Sequence, residues 1–278
     1  MAKKFKYRQN SKKFISGGCS FTLGNELSDD VDGKIPSKNS WAYLLYSIRP
    51  DDEYVCTAKG GAGNSGIARR VFETIFEFET SRISGVVIMW SFPSRYDWAM
   101  PRHNSLEKTR WATITPWDTT DQQGNVFKTL ANSEPQQEQW QRRHDELRQT
   151  GVNDFANALY KHAANEYHEI YLSWKSIIWL QNILVKHKIP YMFTLADNSL
   201  FYDGQTPHTD IDPFLKKLHN EIDLTKWFFF GQRNMGFNQW SLLNDYKRGM
   251  THPLDEAHRN AVDLMMPKYR KTIGENNV

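Results

Sequence analysis

The 278-residue chain has little cysteine and no long apolar segment. Cys19 and Cys56 are too few for a disulfide framework, and we expect both to be reduced, buried thiols. No apolar run approaches the roughly 18 residues that a membrane-spanning helix requires. The basic first residues are not followed by an apolar segment, so a secretory signal is not expected. These absences predict a protein of a reducing cytoplasm without a membrane partner.

Charge of one sign is also scarce. The formal net charge is +3 at pH 7, and a cluster of Lys and Arg occurs only in residues 1–14, where we expect a solvated tail. Nucleic-acid binding is therefore not favoured. His252 and His258 are six residues apart, whereas two metal ligands on one helical face would be four apart, so no metal site is predicted. No cofactor is predicted either.

What the chain does contain is a strong alternation of strand and helix patterns. Short apolar runs at 12–18, 52–58, 84–91 and 190–197 predict strands, and 226–231 predicts a strand or buried loop. Helical periodicity appears at 40–48, from Asn64 onward, at about 153–187 and at 212–222. A final helix begins near 253, with Ala257, Ala261, Leu264 and Met265 predicted to face inward. This rhythm predicts a parallel sheet covered by helices on both faces.

Residues 96–150 interrupt the alternation, because they are polar and show no clean period. A segment of this length inside a compact domain is typical of a functional insertion or lid. We therefore predict one domain over residues 1–278 with an insertion at about 96–150. Ten tryptophans occur in the chain, and four of them, Trp98, Trp111, Trp117 and Trp140, lie in this insertion. Aromatic walls of this kind would suit a carbohydrate.

The first predicted strand ends in the sequence F-I-S-G-G-C-S-F-T-L-G at residues 14–24. Gly17 and Gly18 permit a sharp turn that would present the hydroxyl of Ser20 above the carboxyl edge of the sheet, where ligands of such folds bind. The backbone N–H of Ser20 could also stabilise an oxyanion. The alternative is that Ser20 is only a polar cap after a strand.

The second predicted strand is followed by K-G-G-A-G-N-S-G at residues 59–66. Gly61 and Gly63 would expose backbone N–H groups at the start of a helix, and Asn64 would add a side-chain amide donor. A phosphate-binding or nucleotide-binding loop is the competing functional interpretation, although the GK[ST] ending is lacking. A flexible strand-to-helix turn is the structural alternative.

The last predicted helix is introduced by T-H-P-L-D-E-A-H at residues 251–258. Pro253 would suit the first helical position, which places His252 on a rigid turn at the edge of the sheet. A histidine there could act as a general base. Otherwise it is a capping residue.

In this order and spacing, the three motifs resemble the SGNH/GDSL hydrolases, across nearly the whole chain. The resemblance is strongest to a subgroup with a G-C-S-F-T first block, often found among phage-encoded proteins. It implies a three-layer α/β/α, flavodoxin-like fold in which Ser20 is the nucleophile and His252 the base. The N–H groups of Ser20 and of Gly61 or Gly63, together with Asn64, would form the oxyanion hole. In the sequence M-W-S-F-P-S-R the subgroup's third block corresponds to the predicted pocket residues Trp90, Ser91 and Arg95.

The position three residues before His252 is occupied by Gly249, where the family has an aspartate. We therefore expect a dyad, or a carboxylate supplied by Asp245 or Asp197. The predicted function is that of a serine ester hydrolase acting through an acyl-enzyme, with an acylated carbohydrate as the expected substrate class. The alternative is a catalytically weak module with a structural or binding role, for instance in a virion or a homo-oligomer.

Overall fold

A computed structural model describes residues 11–31, 33–101, 109–119, 138, 141–142, 145 and 147–274. In chain order the strands are β1 (Lys13–Gly17), β2 (Glu53–Cys56), β3 (Ile83–Trp90), β4 (Tyr96–Pro101), β5 (Thr109–Ile114) and β6 (Tyr191–Leu195). The helices are α1 (Ser20–Leu23), α2 (Trp41–Tyr46), α3 (Asn64–Phe76), α4 (Val152–His162), α5 (Glu166–Lys186), α6 (Pro213–His219), α7 (Phe237–Leu243) and α8 (Asp255–Tyr269). A two-residue ladder joins Tyr202–Asp203 to Thr206–Pro207.

The core of the molecule is a parallel sheet with the strand order β2-β1-β3-β6. Every residue of the central strand β3 is buried, as its uninterrupted apolar sequence predicts. Beyond β6, Trp227 forms an isolated parallel bridge with Phe193, so the segment predicted as a strand or buried loop continues the sheet briefly. The predicted central parallel sheet is confirmed.

Helices cover both faces of this sheet. The Phe14 ring lies 6.2 Å from that of Tyr46 in α2 and 6.1 Å from that of Tyr269 in α8. Gly17 lies three residues after Phe14 in β1 and faces Val71 of α3. Because successive strand residues point to opposite faces, α2 and α8 cover one face and α3 covers the other. The result is the predicted three-layer α/β/α arrangement.

Two details of the predicted helices are wrong. The helix predicted over 153–187 is divided into α4 and α5, because the Asn165 side chain accepts a hydrogen bond from the His168 N–H and starts a new helix. In α8, Ala257, Ala261 and Met265 are buried, but Leu264 is exposed. Leu264 directly precedes Met265, so helical geometry turns it away from the buried stripe.

The predicted insertion begins with a hairpin. β4 and β5 pair antiparallel, with Tyr96 opposite Ile114 and Pro101 opposite Thr109. Residues 102–108, most of 120–146, and with them Trp140, lie outside the described residues. The function of this segment as a lid therefore stays a prediction. Within the described part of the chain, no helix is both long and apolar enough to cross a membrane.

Candidate active site

Ser20 begins helix α1 directly beyond the carboxyl end of β1. Gly18 makes the turn into this helix possible, since a Cβ atom there would lie 2.0 Å from the Thr22 Oγ1 atom and 3.1 Å from the Met89 carbonyl oxygen. Ser20 itself is 8% exposed. The turn thus holds the Ser20 hydroxyl in a confined but accessible position at the edge of the sheet.

His252 lies on a tight turn before α8. The Gly249 N–H donates to the His252 carbonyl at 2.9 Å, and Arg248 and Pro253 form an antiparallel bridge across the turn. The Arg248 guanidinium donates to the Thr251 carbonyl at 2.6 Å, which fixes the loop from the other side. Helix α8 starts only at Asp255, so Pro253 precedes the helix and does not occupy its first position. The prediction that His252 sits on a rigid turn is nevertheless correct.

The two predicted catalytic side chains meet. The His252 Nε2 atom lies 2.7 Å from the Ser20 Oγ atom, which is hydrogen-bonding distance. The Phe21 ring packs edge-on against the imidazole, with the ring centroids 4.8 Å apart. The imidazole is therefore held on one side by an aromatic contact and points its Nε2 atom at the hydroxyl.

The carboxylate next to His252 belongs to Glu26 and not to the predicted Asp245 or Asp197. Its Oε1 atom lies 2.9 Å from the His252 Nδ1 atom and also accepts from the Thr251 hydroxyl at 2.9 Å. Its Oε2 atom accepts from the Thr251 N–H at 3.0 Å. An ionised carboxylate only accepts hydrogen bonds, so the imidazole proton resides on Nδ1 and Nε2 is left free to accept the Ser20 proton.

The identity of residue 249 is explained by Glu26. A Cβ atom on Gly249 would lie 2.2 Å from the Glu26 Oε2 atom and 3.1 Å from the Glu26 Cβ atom. The space next to His252 that a side chain at 249 would enter is therefore filled by a carboxylate from the other end of the chain. Gly249 and Glu26 are two parts of one arrangement.

The predicted third members, Asp245 and Asp197, are thus wrong. Asp245 is exposed, with a φ of 54°. The Asp197 side chain caps a short helical turn by accepting from the Ser199 N–H at 2.9 Å. The Nδ1 atom of His252 is already bonded to Glu26, and this contact leaves neither aspartate a role in orienting the imidazole.

The environment of Glu26 favours its ionised form. Burial acts to raise the pKa of this carboxyl, but the hydrogen bond from His252, the charge of its imidazolium form and the hydrogen bonds from Thr251 together act more strongly, and the pKa falls from 4.5 to about 2. The backbone of Glu26 has a φ of 69°, a left-handed conformation that side chains other than glycine rarely adopt. Strained residues of this kind cluster at functional sites.

The predicted oxyanion donors fall into two groups. Among the described residues, no acceptor takes the N–H of Ser20 or of Gly61. Gly61 has a φ of 73°, a conformation that favours glycine. Gly63 precedes α3, and a Cβ atom there would lie 2.1 Å from the Arg95 carbonyl oxygen. The N–H groups of Ser20 and of Gly61 or Gly63 stay the predicted donors.

Asn64 is placed differently from the prediction. Its amide Nδ2 donates to the Ser91 carbonyl at 3.1 Å and to the Ser173 hydroxyl at 3.0 Å, while its Oδ1 accepts from the Ser91 N–H at 2.8 Å. Both amide hydrogens are therefore used. In this arrangement the side chain links the start of α3 to the end of β3 and offers no free donor to a substrate.

The three predicted pocket residues also differ from one another. Trp90 is fully buried, with its ring 5.3 Å from that of Phe193, so it belongs to the core and does not line a pocket. Ser91 is fully buried as well, and its hydroxyl accepts from Arg95 at 3.0 Å. Only Arg95 is partly exposed. Its guanidinium carbon lies 4.5 Å from the centre of the Phe92 ring.

Of the two histidines compared above, only His252 takes part in the site. His258 is buried, and its Nδ1 atom accepts from the Trp41 N–H at 3.1 Å. Burial lowers its pKa from 6.5 to about 3, so it is a neutral structural acceptor. In the part of the chain that the structure describes, no three His, Cys, Asp or Glu side chains come together as metal ligands.

No protein-family model matches the sequence, and no curated protein matches it. The fold is similar to several solved structures. A psychrotrophic esterase from Pseudoalteromonas sp. is 10% identical, with a TM-score of 0.42 and coverage of 94% of this chain and 98% of that one. An acetyl xylan esterase from Butyrivibrio proteoclasticus is 13% identical, with a TM-score of 0.40 and coverage of 95% and 65%. A GDSL-like lipase from Bacteroides thetaiotaomicron is 11% identical, with a TM-score of 0.38 and coverage of 96% and 92%.

Proposed function

We propose that this protein is a serine ester hydrolase with Ser20, His252 and Glu26 as its catalytic triad. The observation that carries the proposal is the continuous hydrogen-bonded row from the Ser20 Oγ atom through both ring nitrogens of His252 to the Glu26 carboxylate. A nucleophile bonded to a base, which is in turn oriented by a third group, is the arrangement that activates a serine. The resemblance of the sequence to the SGNH/GDSL hydrolases agrees with it.

In the proposed mechanism the protons move in the following order. The Ser20 Oγ atom attacks the ester carbonyl carbon while its proton passes to the His252 Nε2 atom. The imidazolium so formed is stabilised by Glu26, and the N–H groups of Ser20 and Gly61 are the proposed donors to the oxyanion. Nε2 then donates that proton to the departing alcohol oxygen. In the second half, water gives a proton to Nε2 as its oxygen attacks the acyl carbon, and Nε2 passes the proton to the Ser20 Oγ atom as the acid leaves.

The hairpin β4–β5 supports an acylated carbohydrate as the substrate class. A Cβ atom on Gly61 would contact the methyl groups of Thr115 and Thr113 at 3.2 and 3.5 Å, so the hairpin borders the predicted oxyanion loop. Trp98 and Trp111 on this hairpin are each 46% exposed. One side of the Trp111 ring is covered by the Arg69 guanidinium, 4.0 Å from the ring centre, and the exposed part of the two indoles would suit the apolar face of a sugar ring.

Hydrolysis of p-nitrophenyl acetate by the wild type and by Ser20→Ala tests the proposal. We expect turnover by the wild type and none above the background rate for Ser20→Ala, because the nucleophile is removed. The control is Glu73→Gln, a substitution at an exposed residue, and it should behave as the wild type. Turnover that survives in Ser20→Ala would remove Ser20 from the role. A wild type without turnover would favour the alternative of a non-catalytic binding module.

The carbohydrate part of the proposal has its own test. Acetate release from an O-acetylated oligosaccharide should fall in Trp111→Ala, while hydrolysis of p-nitrophenyl acetate by the same variant serves as the reference for the catalytic centre. If Trp111→Ala hydrolyses each of the two substrates at the same rate as the wild type, Trp111 does not bind the sugar.

A further inference from the structure

Arg95 forms no ion pair with a carboxylate of the described residues. Its Nη1 atom donates to the Ser91 hydroxyl at 3.0 Å, and its Nε and Nη2 atoms have no acceptor within the described ranges. Arg69, by contrast, is bonded to Asp97 at 2.8 Å and to Glu73 at 3.1 Å. A guanidinium has five N–H donors in a fixed fork, and most of those of Arg95 are left available.

The sheet register brings this charge to the same edge as the nucleophile. Gly17 of β1 is paired with Ile88 of β3, and the two strands run parallel. Ser20 follows Gly17 by three residues, and Ser91, the hydrogen-bond partner of Arg95, follows Ile88 by three. Both loops therefore leave adjacent strands at one level, with strands about 4.8 Å apart.

A continuous row of rings links Arg95 to the catalytic base. The guanidinium carbon lies 4.5 Å from the centre of the Phe92 ring, the Phe92 and Phe21 rings are 6.4 Å apart, and Phe21 contacts His252 at 4.8 Å. Stacking on Phe92 and the bond to Ser91 hold the guanidinium in one orientation, which lowers the entropy lost when it binds a ligand. Arg95 as a whole is partly exposed.

An unpaired guanidinium held in this way is suited to bidentate recognition of a carboxylate. The site also contains the Glu26 carboxylate, but that group is bonded to His252 and Thr251. We infer that Arg95 is the specificity-determining residue of the site and binds a carboxylate of the substrate, so that the enzyme prefers esters bearing an anionic group. This inference rests on the proposed function, since it names the substrate class of the same active site.

Two pairs of matched esters test the inference. One pair is mono-(p-nitrophenyl) glutarate and its methyl ester, which place the charge on the acid half. The other is 4-acetoxybenzoate and its methyl ester, which place it on the alcohol half. The ratio of kcat/KM for the charged and the neutral member is measured for the wild type, Arg95→Gln, Arg95→Lys and the exposed control Lys186→Gln.

The wild type should prefer the charged member of one pair by roughly tenfold to a hundredfold, the range expected for a hydrogen bond between charged groups. Arg95→Gln should bring that ratio close to one, Arg95→Lys should keep part of it, and Lys186→Gln should keep all of it. Because each variant is its own reference, the ratio is independent of the fraction of active protein.

The outcomes separate the two proposals. A wild type that hydrolyses the neutral esters but shows no preference in either pair overturns the inference and leaves the serine hydrolase intact. A preference that is equal in Arg95→Gln and wild type overturns the inference in the same way. A wild type that hydrolyses no ester overturns the proposed function and this inference with it.

Discussion

The replacement Glu26→Gln tests how much the site depends on a carboxylate that comes from the loop after the nucleophile. The change keeps the size of the side chain but removes the charge that stabilises the imidazolium of His252. The pKa of Glu26 falls from 4.5 to about 2, so the carboxylate is ionised and faces His252 as an anion. Losing a hydrogen bond between charged groups of up to about 3 kcal/mol corresponds to about a hundredfold.

A glutamine has a second effect, because its amide can donate to the Nδ1 atom and so stabilise the wrong tautomer of His252. A wrong tautomer in a triad lowers kcat by about 10⁴. We therefore expect Glu26→Gln to lower kcat for p-nitrophenyl acetate by between about 10² and 10⁴. Circular dichroism of the variant checks that it is folded, and Glu73→Gln is the matched control. A Glu26→Gln enzyme that keeps a third or more of the wild-type kcat would show that the Glu26 charge does not contribute to catalysis.

The remaining predictions concern Gly249, Asn64 and the response to acid. Gly249→Asp alone should be inactive, because its Cβ atom would displace Glu26. The double variant Gly249→Asp with Glu26→Ala should be more active than Glu26→Ala alone. If it is not, a carboxylate at position 249 cannot replace the one at position 26. Asn64→Ala should lower the free energy of unfolding by about 1–3 kcal/mol and should lower kcat by less than about tenfold. If stability is unchanged and kcat falls by about 10² or more, Asn64 is an oxyanion donor and not a structural link. Because the pKa of His258 is lowered from 6.5 to about 3, the unfolded chain binds an additional proton below pH 6.5, and the free energy of unfolding should fall by up to about 1.4 kcal/mol per pH unit between those values. His258→Gln should flatten that slope in urea titrations, and an unchanged slope would contradict it.

The fold was largely predictable from the sequence, because burial imposes clear patterns on it. The apolar run of β3 and the alternation of strands and helices follow from a sheet covered on both faces. The sequence pattern does not predict the break between α4 and α5, since the apolar stripe continues across it and only Asn165 marks the new start. A local cap was thus outweighed by a longer periodic signal.

Two members of the proposed triad are predictable because glycines and proline mark the turns that carry them. Ser20 follows Gly17 and Gly18, and His252 precedes Pro253. Glu26 was not predictable, since 226 residues separate it from His252 and the Asn-Glu sequence after Gly24 resembles an ordinary loop. The usable signal was Gly249, because a glycine where an aspartate is expected indicates that another group fills the space.

For the buried polar residues Asn64 and Ser91, the sequence predicts the position but not the hydrogen-bond partner. Asn64 and Ser91 occupy the positions that the sequence resemblance indicated, yet they hydrogen-bond to each other. A sequence motif specifies where a side chain leaves the backbone but not which partner it binds. The distinction between a donor to substrate and a structural link requires the tertiary contacts.

The most direct test of the central claim is the site of covalent labelling by a fluorophosphonate, read by peptide mass spectrometry. The triad predicts one adduct, on Ser20, and a labelling rate that falls in His252→Ala and Glu26→Gln. An adduct on a different residue, or none on the folded wild type, would contradict the assignment of Ser20 as an activated nucleophile.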